Sequence, residues 1–317
     1  MRLLVFASGR GSNFEAILKA SESRYIKSKI CGLLCDKDCP AVQIAGQYSV
    51  PVSIIKPKDY ADKADYIKLL LSTIDSYKPD YIILAGYMRI IPSELIDNYP
   101  LKVINIHPSL LPEFPGKDSI QRAWEAKVNN TGVTVHYVND RMDAGPVIAQ
   151  KSVDMPDSLE KLEEQIHKIE HKLYPEVIKD LEDRPFDTLL VSNCLLGAHC
   201  RYDGNNKYSK RTITFMNNFK GKVFEFCPEV SAGYSVPRPS TEIVAGKAIM
   251  KGVGDITENL QKTCDSILAN IVNSKRIFAI LKEKSPSCGV LKPSGFFTNT
   301  VKRKFGNNIF IVSEEDL

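Results

Sequence analysis

This sequence of 317 residues lacks the features that mark several large classes of protein. No apolar run is long enough to span a membrane, and the first apolar stretch, residues 3–7, is too short for a signal peptide. There is no internal repeat, no low-complexity segment and no periodic pattern of basic and aromatic residues of the kind that binds nucleic acid. We therefore expect a cytoplasmic protein whose partners are small molecules, with neither a membrane nor a nucleic acid among them.

Length and composition favour two domains. Hydrophobic residues make up 43% of the chain, which can supply two cores, and 317 residues is about twice the length of a typical domain. At residues 181–187 a charged helix end meets a proline before a new apolar segment. We predict one domain over residues 1–184 and a smaller one over residues 187–317.

Charge is divided unevenly between these segments. Residues 1–185 contain 24 basic and 26 acidic residues, whereas residues 187–317 contain 18 and 12, so the net positive charge lies in the second segment. That balance suits an anionic ligand, although a solvated basic face also explains it.

The most informative motifs are Asn-Ile-His-Pro-Ser-Leu-Leu-Pro at residues 105–112 and Asp-Ala-Gly-Pro at residues 143–146. Asn105 and His107 are two apart after an apolar run, so on a strand they lie on one face. When an amine attacks a formyl carbon, the tetrahedral oxyanion needs donors, which Asn105 and a protonated His107 can supply. Asp143 could hold the imidazole and receive the amine proton, directly or through water. The three side chains therefore suit acyl transfer to an amine.

Two more turns in the first segment follow apolar strands. Ser-Gly-Arg-Gly-Ser-Asn at residues 8–13 opens a helix and presents backbone N–H groups to an anion. It does not fit the dinucleotide fingerprint, so NAD is not predicted. The strand at residues 81–86 ends in glycine, and residues 88–91 beyond it could receive a flat ring.

Residues 1 to about 184 resemble the glycinamide ribonucleotide formyltransferase family of purine synthesis. The resemblance rests on the four motifs above and on Glu-His-Lys-Leu-Tyr-Pro at residues 170–175, all in the family's order and spacing. It implies transfer of a formyl group from 10-formyltetrahydrofolate to the amine of glycinamide ribonucleotide.

The resemblance also implies the roles of individual residues. The implied catalytic residues are Asn105, His107 and Asp143. The implied substrate-binding residues, which include a phosphate site and a ribose contact at Glu170, are Gly11, Ser12, Asn13, Gly86 and Glu170. The implied residues of the folate pocket are Met88, Arg89, Ile90 and Asp140. The alternative is another amine acceptor, such as a sugar nucleotide amine or methionyl-tRNA. The phosphate turn and Glu170 argue against this alternative.

Three cysteines in the second segment each follow a short apolar strand. These are Cys194, Cys227 and Cys288, and open α/β sheets place their ligands at such strand ends. A single cysteine is commonly a small buried hydrophobe, but three at equivalent positions with polar neighbours favour a shared site. Glu229 and Ser285 lie beside two of them and are candidates for proton delivery.

Residues 187–317 resemble a small domain family that includes thiouracil desulfidases. The resemblance implies a [4Fe-4S] cluster held by Cys194, Cys227 and Cys288, with one iron left open to take sulfur from a thiopyrimidine. Cys200 is either a fourth ligand or a bystander, and zinc is the alternative metal. The non-catalytic alternative is a regulatory module that binds a metal or a nucleobase.

Cys31, Cys35 and Cys39 are spaced four apart and invite a second metal hypothesis. Alternation along a strand places Cys31 and Cys35 on one face, but the turn that follows carries no other obvious ligands. We do not expect metal there, and cysteines of an intracellular protein also serve as buried thiols or redox groups.

Periodicity predicts an α/β fold in both segments. The first is expected to form a doubly wound, mainly parallel sheet, and the second a smaller α/β sheet. In the first segment we predict strands near residues 3, 31, 51, 81 and 103, helices over 14–21, 61–77, 118–127 and about 158–181, and an antiparallel addition at 132–137. In the second segment we predict strands near residues 188, 223, 277 and 308.

Overall fold

The structure, a computed structural model, describes residues 1–291 and 294–317. The chain divides into two compact units, Met1–Asp183 and Arg184–Leu317, and each is described by itself. In the part of the chain that the structure describes, no helix has both the length and the apolar character needed to cross a membrane.

The first unit is built on a seven-stranded sheet. Its strands are β1 (Arg2–Ala7), β2 (Lys29–Cys35), β3 (Val52–Ile54), β4 (Tyr81–Leu84), β5 (Val103–His107), β6 (Asn130–Tyr137) and β7 (Val147–Asp154). The order across the sheet is β3-β2-β1-β4-β5-β6-β7. The first five strands are parallel, and β6 and β7 are added antiparallel. The predicted mainly parallel sheet and its antiparallel addition are confirmed.

Five helices connect these strands, and a sixth follows the last strand. They are α1 (Ser12–Glu22), α2 (Pro40–Gln47), α3 (Lys63–Tyr77), α4 (Ser93–Asn98), α5 (Ser119–Glu125) and α6 (Leu159–Asp183). α3 begins where the Asp62 carboxylate accepts a hydrogen bond from the N–H of Ala64 at 2.8 Å. The residue before α1, Gly11, has φ 81°, which glycine adopts without strain.

Helix α6 is joined to the sheet by a buried tyrosine. The hydroxyl of Tyr174 donates to the carbonyl oxygens of Ile104, at 2.8 Å, and Leu84, at 3.1 Å. These carbonyls lie on β5 and β4, the central strands that carry functional residues at their ends. α6 is therefore held in register with the edge of the sheet where the parallel strands end.

The second unit has a four-stranded parallel sheet and a small antiparallel sheet. The parallel strands are β8 (Thr188–Ser192), β9 (Lys222–Phe226), β13 (Ile277–Leu281) and β14 (Ile309–Ser313), in the order β14-β13-β8-β9. The antiparallel strands, which the sequence did not predict, are β10 (Thr241–Val244), β11 (Lys247–Met250) and β12 (Gly254–Asp255). The helices are α7 (Lys210–Asn217), α8 (Pro228–Ser231), α9 (Thr257–Ala269) and α10 (Phe296–Phe305). The expected smaller α/β fold is confirmed.

Removing the hydroxyl of Tyr174 should loosen α6. We expect Tyr174→Phe to lower the free energy of unfolding by about 1–2 kcal/mol, because two buried carbonyls lose a donor. Fluorescence of Trp124, the one tryptophan of the chain, would follow urea unfolding of the first unit. The matched control Tyr25→Phe, at a side chain 43% exposed, should change stability little. Equal effects of the two substitutions would contradict the anchoring role.

Candidate active sites

Asn105, His107 and Asp143 come together at the end of β5. Asn105 Nδ2 is 3.5 Å from Asp143 Oδ1, and His107 Nδ1 is 3.4 Å from Asp143 Oδ2. The other ring nitrogen of His107, Nε2, is 3.0 Å from the carbonyl oxygen of Phe114. Both ring nitrogens thus face acceptor oxygens, an arrangement that suits a doubly protonated imidazole.

A second histidine, which sequence reasoning missed, belongs to the same cluster. His136 lies directly opposite Asn105 in the antiparallel pair of β5 and β6, and its side chain is buried. Its Nδ1 donates to the carbonyl of Tyr137 at 2.9 Å, and its Nε2 lies 3.3 Å from Asn105 Nδ2 and 3.6 Å from Asp143 Oδ1. Alternation along the strand predicted at residues 132–137 placed His136 on one face, but not opposite Asn105.

Asp143 is the centre of this cluster. Its backbone has φ 50°, and its Oδ2 accepts a hydrogen bond from the N–H of Gly116 at 2.7 Å. Burial by itself raises the pKa of Asp143, but the nearby imidazole of His136, the hydrogen bond from Gly116 and the charge of His107 outweigh it and lower the pKa to about 2. The carboxylate therefore stays ionised at neutral pH.

The glycine-rich turn after β1 leaves little space around its backbone. A Cβ atom on Gly11 would lie 2.8 Å from the Cβ of Ala41, so that only glycine fits. The side chain of Asn13 is buried, and its Oδ1 has no hydrogen-bond partner among the described residues. An orphaned acceptor at this turn is consistent with a ligand contact. Ser12, exposed beside it, begins α1.

Glu170 lies on α6 with its carboxylate buried. Its Oε2 is 2.9 Å from His167 Nδ1, and this hydrogen bond raises the pKa of His167. The charge of Arg10, in the glycine-rich turn, acts on the same imidazole and opposes that rise. The charge of the glycine-rich turn therefore influences the titration of His167 on α6.

The loop after β4 exposes apolar side chains. Met88 and Ile90 are 69% and 79% exposed, and Arg89 Nε donates to the buried carboxylate of Asp36 at 2.7 Å. Gly86 has φ 74° and begins the loop. Asp140 is an exposed residue of the segment between β6 and β7. Large apolar side chains held at a surface by an anchored loop suit contact with a flat aromatic ligand.

The second unit contains a cavity of about 480 Å³ at the ends of its parallel strands. Four cysteines line it: Cys194, Cys200, Cys227 and Cys288. The thiol of Cys227 donates to the carbonyl oxygen of Cys200 at 3.6 Å. The structure thus brings the three predicted ligands to one cavity and places Cys200 among them.

The surroundings of three of these thiols favour the protonated form. Interaction with the side chain of Cys194, aided by burial, raises the pKa of Cys200 to about 11. Interaction with the side chain of Cys200 raises the pKa of Cys227, and burial raises that of Cys288. Over residues 1–291 and 294–317, no three His, Cys, Asp or Glu side chains are arranged to hold a single metal ion. The donors suit a thiolate-bound metal group whose charge would favour deprotonation.

Glu229, a predicted proton carrier, is buried in the wall of the cavity with two partners that the sequence did not indicate. Its Oε2 accepts from Arg238 Nε at 2.6 Å, and its Oε1 accepts from the Ser287 hydroxyl at 2.7 Å. The hydroxyl of Ser285 accepts from the N–H of Cys288 at 3.1 Å. Arg238 also donates to the carbonyl of Cys200 at 3.0 Å, so it ties Glu229 to the cysteine loop.

Two family models match the chain, one in each unit. A family model described as formyl transferase matches residues 1–178, and the chain belongs to this family. A family model described as 2-thiouracil desulfurase matches residues 189–313.

Individual relatives match the first unit. The phosphoribosylglycinamide formyltransferase of Bacillus subtilis (strain 168) is 44% identical over 57% of this chain and 94% of its own length. That of Escherichia coli (strain K12) is 34% identical over 58% of this chain and 88% of its own. A solved structure of glycinamide ribonucleotide transformylase 1 from Geobacillus kaustophilus is 46% identical, has a TM-score of 0.56, and aligns over 57% of this chain and 98% of its own.

The lowered pKa of Asp143 should make stability depend on acid pH. The stabilisation is complete above the ordinary pKa of 3.8 and is lost as pH falls through about 2. We expect roughly 2 kcal/mol of unfolding free energy to disappear over that range in the wild type and not in Asp143→Asn. Urea unfolding by Trp124 fluorescence at several pH values would measure it. The surface variant Asp157→Asn should follow the wild type, and identical slopes for all three proteins would contradict the assignment.

Proposed function

We propose that the first unit transfers a formyl group from 10-formyltetrahydrofolate to the amine of glycinamide ribonucleotide. The convergence of Asn105, His107 and Asp143 within 3.5 Å contacts carries the proposal. Membership of the formyl transferase family and relatives that match nearly their whole length to this unit support it.

The three side chains can divide the reaction between them. The amine attacks the formyl carbon and gives a tetrahedral oxyanion, which Asn105 Nδ2 and the imidazolium of His107 stabilise as donors. The proton of the amine passes to Asp143, directly or through water. Collapse of the intermediate breaks the bond from the formyl carbon to the folate nitrogen, which regains a proton as tetrahydrofolate leaves. His136 acts as a positioning residue, since it contacts both Asn105 and Asp143.

Binding of this acceptor and donor is assigned to residues from several segments of the first unit. Gly11, Ser12 and Asn13 would hold the phosphate with backbone N–H groups at the start of α1. Gly86 and Glu170 would contact the rest of the ribonucleotide. The folate residues would be Met88, Arg89, Ile90 and Asp140. Another amine acceptor remains the alternative, and the backbone N–H groups of the glycine-rich turn favour the phosphorylated one.

Substitution of the catalytic histidine tests this function. We expect His107→Ala to lower kcat by roughly 100-fold or more, because one oxyanion donor is lost, with little change in glycinamide ribonucleotide binding. Formyl transfer would be measured by tetrahydrofolate release, and binding by calorimetry. The control His199→Ala, at a histidine of the second unit, should transfer at the wild-type rate. Unchanged turnover in His107→Ala would contradict the proposed mechanism.

We propose further that the second unit, residues 187–317, is a thiopyrimidine desulfidase with a [4Fe-4S] cluster on Cys194, Cys227 and Cys288. Four thiols on one cavity wall support the donor set, and the desulfurase family match supports the reaction. When bound, such a cluster supplies an iron with an open position for the sulfur of a thiocarbonyl.

The protein's own part in desulfuration would be proton transfer and water activation. Glu229 is oriented by Arg238 and Ser287, and its buried carboxylate borders the cavity. Ser285 would act beside Cys288. The alternative function is a regulatory module that binds a metal, including zinc, or a nucleobase without turnover. The buried Glu229–Arg238 pair favours catalysis, because a module that only binds does not require a positioned carboxylate.

Metal analysis separates these functions. We expect anaerobically purified protein to hold about four iron and four sulfide per chain, and Cys288→Ala to lose both together with thiopyrimidine turnover. Formyl transfer should remain near the wild-type rate if the units act independently. The control Cys264→Ala alters a buried core cysteine of the same unit and should keep the metal. Zinc, or no metal after reconstitution, would contradict the cluster and favour the binding module.

The proposal also covers the domain limits, the location and the partners of the protein. We place the domain limits at residues 1–184 and 187–317 and the protein in the cytoplasm. Its partners are small molecules: glycinamide ribonucleotide, the folate and a thiopyrimidine.

A further inference from the structure

Two buried thiols in the first unit lie in contact outside the catalytic cluster. Cys39 Sγ is 3.7 Å from Cys35 Sγ. Cys35 is the last residue of β2 and fully buried, whereas Cys39, just before α2, is 9% exposed. Cys31, the third member of the series, donates instead to the carbonyl of Leu3 at 3.2 Å. Only two of the three thiols are therefore placed to react with each other.

The turn between these thiols touches the proposed folate loop. Asp36 follows Cys35, and its buried Oδ2 accepts from Arg89 Nε at 2.7 Å. The other carboxylate oxygen, Oδ1, has no hydrogen-bond partner within the described residues. The ion pair with Arg89 therefore sets the position of the turn relative to the loop that carries Met88 and Ile90.

The helix that follows Cys39 touches the proposed phosphate turn. Ala41 packs where a side chain on Gly11 would stand, and its N–H donates to the carbonyl of Gly9 at 3.3 Å. A shift of Cys39 is thus transmitted to the backbone that is proposed to bind phosphate. The pair is therefore linked through Asp36 to the proposed folate loop and through Ala41 to the proposed phosphate turn.

We propose that Cys35 and Cys39 form a reversible disulfide, with a peroxide or a small disulfide as oxidant, and that this bond slows formyl transfer. The effect on transfer rests on the proposed function, whereas formation of the bond does not. Transient disulfides of this kind are the ones found in reducing compartments.

Either named oxidant can convert the two thiols to a disulfide in a balanced reaction. A peroxide converts the more accessible thiol, Cys39, to a sulfenic acid and releases water, and the sulfur of Cys35 then displaces a second water. Two thiols lose two electrons and two protons, and the peroxide is reduced. A small disulfide gives the same product by exchange and leaves as two thiols.

Bond formation must move the intervening turn. The sulfur atoms have to approach from 3.7 Å to about 2 Å. Cys35 is fixed in the sheet, so that Cys39 and residues 36–38 move. Because Asp36 holds Arg89, and Ala41 packs on Gly11, both binding segments are displaced together.

Peptide mapping tests the bond. Trypsin cleavage at Lys37 separates the two cysteines, so full-length protein treated with hydrogen peroxide and alkylated under denaturing conditions should give a linked pair of peptides. The link should disappear after dithiothreitol treatment and be absent in Cys39→Ser and Cys39→Ala. Cys31→Ser should retain it. Absence of the linked peptides in the wild type would overturn the proposal.

A transfer assay on the same samples tests the consequence. Oxidation should lower the rate of the wild type and of Cys31→Ser roughly fivefold or more, at the lower end of ordinary coupling between sites. Dithiothreitol should restore the rate, and Cys39→Ser should not respond. A linked protein with an unchanged rate would overturn the regulatory role. No transfer even by reduced wild type would refute the proposed function instead, and the peptide map would still decide the disulfide.

Discussion

The first unit depends on the placement of one buried carboxylate. Asp143 has a left-handed backbone conformation, and an ionised carboxylate in a largely buried position is stable only where donors surround it. The donors come from separate segments: Asn105 and His107 from β5, His136 from β6, and the backbone N–H of Gly116 from the loop between them. The contacts with this one carboxylate therefore fix the relative positions of the end of β5, strand β6 and the loops that carry Gly116 and Asp143.

The second unit also contains a buried carboxylate, that of Glu229, which needs donors around it. This carboxylate is paired with a guanidinium and a hydroxyl, and Arg238 continues to the carbonyl of Cys200. The loops that carry the cavity thiols are therefore linked through a buried ion pair as well as through the sheet. Removal of either Glu229 or Arg238 would leave an uncompensated buried charge. We therefore expect this ion pair and the loops that carry the cavity cysteines to fold together.

Sequence reasoning succeeded where chemistry is local. Asn105 and His107 are two residues apart on one strand, and their convergence follows from strand geometry alone. The positions of Cys194 and Cys227 just after β8 and β9 likewise follow from the short apolar runs before them, whereas Cys288 lies seven residues beyond the end of β13. His136, Arg238 and Ser287 were missed because each gains its role from a partner on another element of the fold. Nothing in the local pattern of a buried histidine or an arginine after a proline distinguishes these roles from ordinary core or surface positions.

The sequence by itself determined the α/β class, the glycine turn and the candidate groups for acyl transfer and metal binding, because periodicity and residue chemistry are local properties. Only the tertiary structure decided which groups meet. The antiparallel pairing of β5 and β6 placed His136 against Asn105, the fold of the cysteine loops put Cys200 among the other thiols, and the β2–α2 turn brought Cys35 to Cys39. Such contacts depend on strand register and loop closure, which join residues distant along the chain and leave no signature in either segment alone.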